Sequence, residues 1–276
     1  MNTTSHPAVL PQPGAIMAVT GGASGIGFAT AQLWCARGGQ VVLLDLNADQ
    51  MKAAIGALNR DYGPGRARGV HCDVTDKASV DAAVDSIQTV EGRLDALVNS
   101  AGIARPTPAE HTTDEDWNVV VDIHLGGTMR ISRSAFPLLA ESGGAIVNLS
   151  SVASVVGMPH RLSYTTVKAG MGGLTRTLAV EWAPHGIRVN SVGPGYVDTP
   201  LNQALVDQGQ LRADLIEART PLKRFAQPVE IAEPIVFLCT SAASFITGHT
   251  LMADGGLTVD GAWYGHEQGI PNRRDS

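Results

Sequence analysis

The sequence predicts an α/β fold, a doubly wound parallel sheet of seven strands with helices on both faces. Two observations carry this expectation. Seven short apolar runs alternate with longer helical patterns almost throughout the chain. The runs are mostly continuous in apolar character rather than alternating, as strands buried on both faces of a parallel sheet require. The 31 glycines among 276 residues suit a fold with many strand-to-helix turns.

In order, the expected strands are 15–20 (AIMAVT), 40–45 (QVVLLD), 67–73 (ARGVHCD), 94–100 (LDALVNS), 144–150 (GAIVNLS), 187–192 (IRVNSV) and 249–254 (HTLMAD). Helices are expected near 25–38, 48–61, 76–91, 114–140, 163–183 and 228–240. Asp76, Asp114 and Ser163 are the expected N-caps, with Gly38, Gly92 and Gly186 just past helix ends. One domain is expected over 14–260, after a loose arm at 1–13 broken by three prolines and before a polar tail at 261–276. Residues 198–224, with Pro200, Gly209 and Pro221, interrupt the rhythm and form a candidate substrate lid.

Composition narrows the function. A net charge of −6, with no Lys/Arg run longer than two, argues against a nucleic-acid partner. No apolar stretch approaches the ~20 residues that cross a bilayer, and the opening residues lack a signal-peptide pattern. A soluble, cytoplasmic protein is expected. Cys35, Cys72 and Cys239 are far apart in sequence, without metal-ligand spacing, and read as buried reduced thiols; no metal is expected.

The first strand runs into T-G-G-A-S-G-I-G (Thr20 to Gly27), and a helix follows at once. Glycines there permit a tight turn and close approach of backbone to a pyrophosphate, whose charge the helix N-terminus stabilises. Gly21, Ser24, Gly25, Ile26 and Gly27 are therefore candidate dinucleotide-binding residues. Asp45 ends the second strand. Its carboxylate can accept from adenosine ribose hydroxyls and would repel a 2′-phosphate, which favours NAD over NADP; the other reading is a simple turn cap. Asp73 and Val74 after the third strand, and Asn99, Ala101 and Gly102 after the fourth, stand at carboxyl ends where ligands bind in such sheets. Asp73 could take an adenine amino group, and Asn99 either contacts the cofactor or caps its strand.

Tyr164 and Lys168 lie four residues apart in S-Y-T-T-V-K, so they share one helix face. A phenol beside an ammonium is expected to be an acid/base group of lowered pKa. Taken together, the glycine turn, C-D-V, N-S-A-G, a serine, Y-x-x-x-K and P-G-Y-V-D-T appear in an order that resembles the short-chain dehydrogenase/reductase family, in its branch of about 250 residues. The resemblance runs from about residue 13 to 260 and ends in A-D-G-G (Ala253 to Gly256).

The resemblance implies a Rossmann-type fold and a Ser-Tyr-Lys catalytic set. The family's spacing from serine to tyrosine selects Ser151 over Ser150 as the partner of Tyr164. It implies that Ser151 holds the substrate oxygen and Tyr164 exchanges its proton. Lys168 would lower the tyrosine pKa and bind the nicotinamide ribose. It also implies that Pro194, Gly195, Val197 and Thr199 line the nicotinamide, and that the chain forms a homotetramer through the 114–140 and 163–183 helices, where Val119, Val120, Met171 and Leu174 offer apolar surface. One departure stands out: the family's N-L-x-G reads His124-Leu125-Gly126-Gly127 here. His124 either replaces the proton-relaying asparagine, as an imidazole can, or is a packing residue.

Substrate contacts are expected from Ala153, His160, Arg161, Tyr196 and Leu201, with Val152 and Met158 nearby. His160 and Arg161 either meet an acidic or hydroxyl-rich substrate or stand in a solvated loop. The expected function is NAD-dependent oxidation of a secondary alcohol, a small alcohol, polyol or cyclic hydroxyl compound. The alternatives are an NADPH-dependent 3-oxoacyl-thioester reductase and a catalytically impaired NAD-binding protein.

Overall fold

The computed structural model describes residues 11–261. Most of the expected arm and almost all of the expected tail lie outside the described residues. Seven strands form one parallel sheet: β1 (Ile16–Thr20), β2 (Gln40–Asp45), β3 (Ala67–His71), β4 (Ala96–Asn99), β5 (Ala145–Leu149), β6 (Arg188–Pro194) and β7 (Thr250–Ala253), in the order β3-β2-β1-β4-β5-β6-β7. Register is set by pairs such as Ala18 with Val42 and Ala18 with Leu97.

The strands are apolar on both faces because both are covered. Met17, Val19, Leu43 and Val147 point to one side, where α1 (Gly25–Ala36), α2 (Ala48–Tyr62) and α9 (Pro228–Cys239) pack. Ile16, Ala18, Leu97 and Ile146 point to the other, against α3 (Lys77–Val90), α5 (Thr128–Ser142) and α6 (Leu162–Trp182). The expected strands and long helices are present within a few residues, and Asp76 caps α3 through a hydrogen bond from Ala78 N. Two expected caps differ. Thr113, not Asp114, caps α4 (Asp114–Val121), accepting from Asp116 N, because a cap must stand one residue before the first helical residue. Ser163 lies inside α6, whose N-cap is Arg161.

The expected helix 114–140 carries an irregularity that its sequence pattern hid. Between α4 and α5, residues 122–127 widen into a π-helical turn without breaking the helix. Arg130 braces this turn, donating to Asp122 Oδ1 at 2.5 Å and to the Val74 carbonyl at 3.1 Å. Wide turns of this kind often mark functional positions, and His124 sits within this one. The segment 198–224 holds two short helices, α7 (Pro200–Asp207) and α8 (Ala213–Arg219). No helix among the described residues is long and apolar enough to cross a membrane.

Leu97, on the central strand β4, is fully buried. Leu97→Ala is expected to cost about 2–5 kcal/mol, read as a lower urea midpoint at unchanged slope.

Candidate active site

The order of the sheet reverses direction at β1 and β4: the chain turns from β1 toward β2 and β3, and β4 resumes on its other side. At such a switch point the turns leaving adjacent strands diverge and leave a crevice. A cleft of about 370 Å³ opens there, and its lining includes Gly21, Ser24, Gly25 and Ile26 from the first turn. Gly21 is left-handed, φ +62°, and a Cβ on it would stand 3.0 Å from the Ala101 backbone. Gly27 does not line the cleft; it lies beneath, where a Cβ would be 2.3 Å from the Gly21 carbonyl oxygen. It closes the helix onto the turn. No side chain caps α1, so its opening N–H groups are left for a ligand.

Asp45 reaches back to this turn. Its carboxylate accepts from Ala23 N and Asn47 N, both at 3.0 Å. It sits at the turn without lining the cleft itself. Asp73 accepts from the Thr75 hydroxyl at 2.7 Å and Thr75 N at 2.8 Å, which holds its carboxyl below the ordinary range. Val74 packs under Gly127. Asn99 departs most from expectation. It is buried, and its amide donates to Asn148 Oδ1 at 2.8 Å and Ser132 Oγ at 3.1 Å, while Asn148 donates to Thr175 Oγ1 at 3.0 Å. Its side chain ties β4 to β5 and α5 inside the protein instead of facing the cleft.

The opposite end of the cleft gathers Ser151, Tyr164, Lys168 and His124. Ser151 and Tyr164 line the cleft together, and Ser151 Oγ accepts from Ala153 N at 3.2 Å. Ser150 instead donates to the Lys168 carbonyl at 3.4 Å. Lys168 Nζ donates to the Leu149 carbonyl at 2.6 Å and lies 5.5 Å from the Tyr164 ring centre.

The electrostatics correct one expectation. Tyr164 is not lowered: burial raises its pKa above the ordinary value, opposed by the neighbouring Ser151 hydroxyl and by the charge of Arg161. Burial also pulls Lys168 down to about 7, which weakens the cation meant to stabilise a phenolate.

His124 is 2% exposed, and its ring meets that of Tyr164 edge-on, centres 5.6 Å apart. Burial, together with the Lys168 charge, pushes its pKa down to about 3, so the imidazole is neutral. Nε2 lies 2.9 Å from the Ile103 carbonyl and 3.1 Å from Ile103 N. A neutral ring has one N–H, so Nε2 either donates to the carbonyl or accepts from the amide. In both cases Nδ1 is left buried without a protein partner.

Pro194, Gly195, Val197, Thr199 and Leu201 line the cleft, and Thr199 caps α7, accepting from Asn202 N at 3.3 Å. Ser100, Ile103, Leu149, Ser150, Pro200 and Asn202 line it too and were missed. Ser100 and Ser150 adjoin motif residues, a proximity that could have flagged them; Ile103, Leu149 and Asn202 carry no chemical signal. Among the expected substrate residues, Arg161 and Tyr196 line a second, neighbouring cavity. Ala153 is buried and His160 exposed, and neither lines either cavity. Ala153 contributes only its N–H to Ser151, and His160, with φ 60°, shapes the backbone before α6.

A glycine turn at a sheet switch point, sharing one cleft with a serine, a tyrosine and a lysine, defines a dinucleotide-dependent oxidoreductase. A family model described as enoyl-(acyl carrier protein) reductase matches residues 21–258. The chain is 41% identical to a D-threitol dehydrogenase of Mycolicibacterium smegmatis, covering 89% of this chain and 94% of the relative. It is 45% identical to a cis-4-hydroxycyclohexanecarboxylate dehydrogenase of Sinomonas cyclohexanicum, covering 88% and 96%. A solved gluconate 5-dehydrogenase from Burkholderia cenocepacia, in complex with NADP and tartrate, superposes with a TM-score of 0.84 at 32% identity, covering 90% and 97%. The chain belongs to the short-chain dehydrogenase/reductase family and is an NAD(P)-dependent oxidoreductase acting on CH–OH groups.

The buried neutral histidine has a stability consequence. Unfolded, it protonates near pH 6.5; folded, only near 3. Between these values the unfolded state binds the extra proton, so stability falls as pH falls, by roughly 1.4 kcal/mol per unit from this group. Urea midpoints at pH 5 and 7 are expected to differ less in His124→Asn than in the unsubstituted protein.

Proposed function

We propose that the protein oxidises a secondary alcohol, either a polyol or a cyclic hydroxyl compound, with NAD as its cofactor. The observation that carries this is a single cleft lined both by the glycine turn and by Ser151, Tyr164 and Lys168. The named relatives act on alcohols of both kinds. The thioester-reductase alternative fits less well, because Asp45 places a carboxylate beside the turn with no Arg or Lys directly after it.

Gly21, Ser24, Gly25 and Ile26 would hold the pyrophosphate, and Asp45 the adenosine ribose; Asp73 would meet the adenine. Lys168, Ala101, Gly102 and the 194–199 loop would hold the nicotinamide end. Bound, the oxidised nicotinamide supplies a hydride acceptor and a positive charge that favours the phenolate. Ser151 orients the substrate oxygen by a hydrogen bond, and Tyr164 takes or returns its proton. Because burial keeps Tyr164 protonated at neutral pH, the free protein is set to donate a proton to a ketone oxygen, and oxidation gains as pH rises. His124, with its open Nδ1, acts as a relay between this proton and solvent, in the place of the family's asparagine.

The 198–224 segment contributes to the walls of both cavities and is assigned as the lid. A homotetramer built on the 114–140 and 163–183 helices is part of this reading, with a revised surface. Val120 and Met171 are already buried within one chain, so the apolar surface left to pair is of the kind offered by Met129 and Val180. The cytoplasm suits three free, buried cysteines.

Absorbance at the NADH band, with threitol, cyclohexanol and 4-hydroxycyclohexanecarboxylate as the panel, tests the reaction. Tyr164→Phe is expected to lose at least about 100-fold in kcat while still binding NADH; unchanged turnover would sink the assignment. Asp45→Ser is expected to narrow the preference for NAD over NADP by about tenfold in kcat/KM. Equal use of both by the unsubstituted protein would remove the cofactor assignment. His124→Asn is expected to keep most activity and His124→Phe to lower kcat at unchanged KM; equal kcat in all three would make His124 a packing residue.

A further inference from the structure

A second cavity, about 450 Å³, lies beside the catalytic cleft. The two spaces adjoin through consecutive residues: Ser151 and Gly195 line the cleft, and Val152 and Tyr196 line the cavity. The cavity wall is largely apolar, with Val152, Met158, Leu211, Leu215, Ile216 and Leu257. Such a surface suits a ring or hydrocarbon spacer better than a chain of hydroxyls, which would lose hydrogen bonds to water on entering.

Three guanidinium groups border this cavity, and they are not equivalent. Arg212 is paired with Asp214 at 2.7 Å, and Arg219 with Asp260. Arg161 has no carboxylate partner among the described residues. It is the N-cap of α6, three residues before Tyr164, and its charge lowers the hydroxyl pKa of both Tyr164 and Tyr196. Its backbone is held in place: residue 161 bridges to Thr107, and Thr107 N donates to the His160 carbonyl at 3.0 Å. His160 takes a left-handed conformation rare for a side-chain-bearing residue, which turns the chain into α6 at this point.

The geometry points to an anion subsite: Arg161 binds a carboxylate on a substrate whose apolar body fills the second cavity while its hydroxyl meets Ser151 and Tyr164. The substrate class is then a cyclic or otherwise apolar-spaced hydroxycarboxylic acid. This rests on the dehydrogenase reading above. A single unpaired guanidinium matches one carboxylate in charge and in its two-pronged donor geometry; a phosphate dianion would call for a second free cation, and Arg212 and Arg219 are already neutralised.

The test compares kcat/KM for 4-hydroxycyclohexanecarboxylate with that for its methyl ester, in the same enzyme, so that any general effect of a substitution on Tyr164 cancels. The acid is expected to exceed the ester by at least about tenfold, mainly through KM, as a charge-assisted hydrogen bond gives. Arg161→Gln should bring the ratio close to one. Arg161→Lys should fall between, keeping the charge without the planar fork. An ester as good as the acid in the unsubstituted protein, or a ratio unmoved in Arg161→Gln, overturns the subsite and leaves the dehydrogenase reading standing. If no alcohol is oxidised, the dehydrogenase reading fails. The subsite is then judged by calorimetric titration with cyclohexanecarboxylate: binding that is lost in Arg161→Gln supports it, and no binding to the unsubstituted protein overturns it.

Discussion

A parallel sheet covered on both faces has no free surface for chemistry except at the ends of its strands. Here the interior between helices is closed by Trp34, Leu58, Leu97, Leu138 and their neighbours, all at 2% exposure or less. The strand order leaves one place where adjacent turns diverge, between β1 and β4. The glycine turn, the 100–103 turn, Ser151 and the 194–199 loop reach the cleft because each leaves the carboxyl end of a strand beside that gap. Only α6 and the wide turn of α4–α5 bring groups in from the flank.

The chemistry that follows is governed by dryness more than by paired charge. Lys168 has a backbone carbonyl for its partner, and its ammonium is destabilised by burial. Tyr164 resists ionisation for the same reason, and His124 resists protonation. Three groups that titrate far apart in water are thereby each shifted toward the uncharged form within one small volume, where a new charge on a cofactor acts with little screening. The protein alone does not complete the electrostatics of its site.

The sheet and most helix positions were legible because parallel strands and amphipathic helices leave regular apolar patterns, and Gly21, Gly25, Ser151, Tyr164 and Lys168 because their chemistry needs those residue types at those spacings. What was not legible shares a cause. The π turn at 122–127 needs no unusual residue, since it is a change in hydrogen-bond register within a continuous helix. Asn99 shows a polar residue at the right strand end but not which way its side chain turns, a choice made by Asn148 on the next strand. The burial that reverses the expected pKa of Tyr164 is assembled from segments remote in sequence. The division of Arg161, Arg212 and Arg219 into one unpaired and two paired cations depends in part on Asp260, far along the chain from all of them.

Position 102 illustrates how such remote contacts constrain change. A methyl group on Gly102 would stand 2.5 Å from His124 Cε1, closer than real atoms approach. The imidazole can keep this position only beside glycine at 102; any larger residue there would force the ring to move. The two sites, on different elements of the fold, are thereby coupled through one side-chain contact.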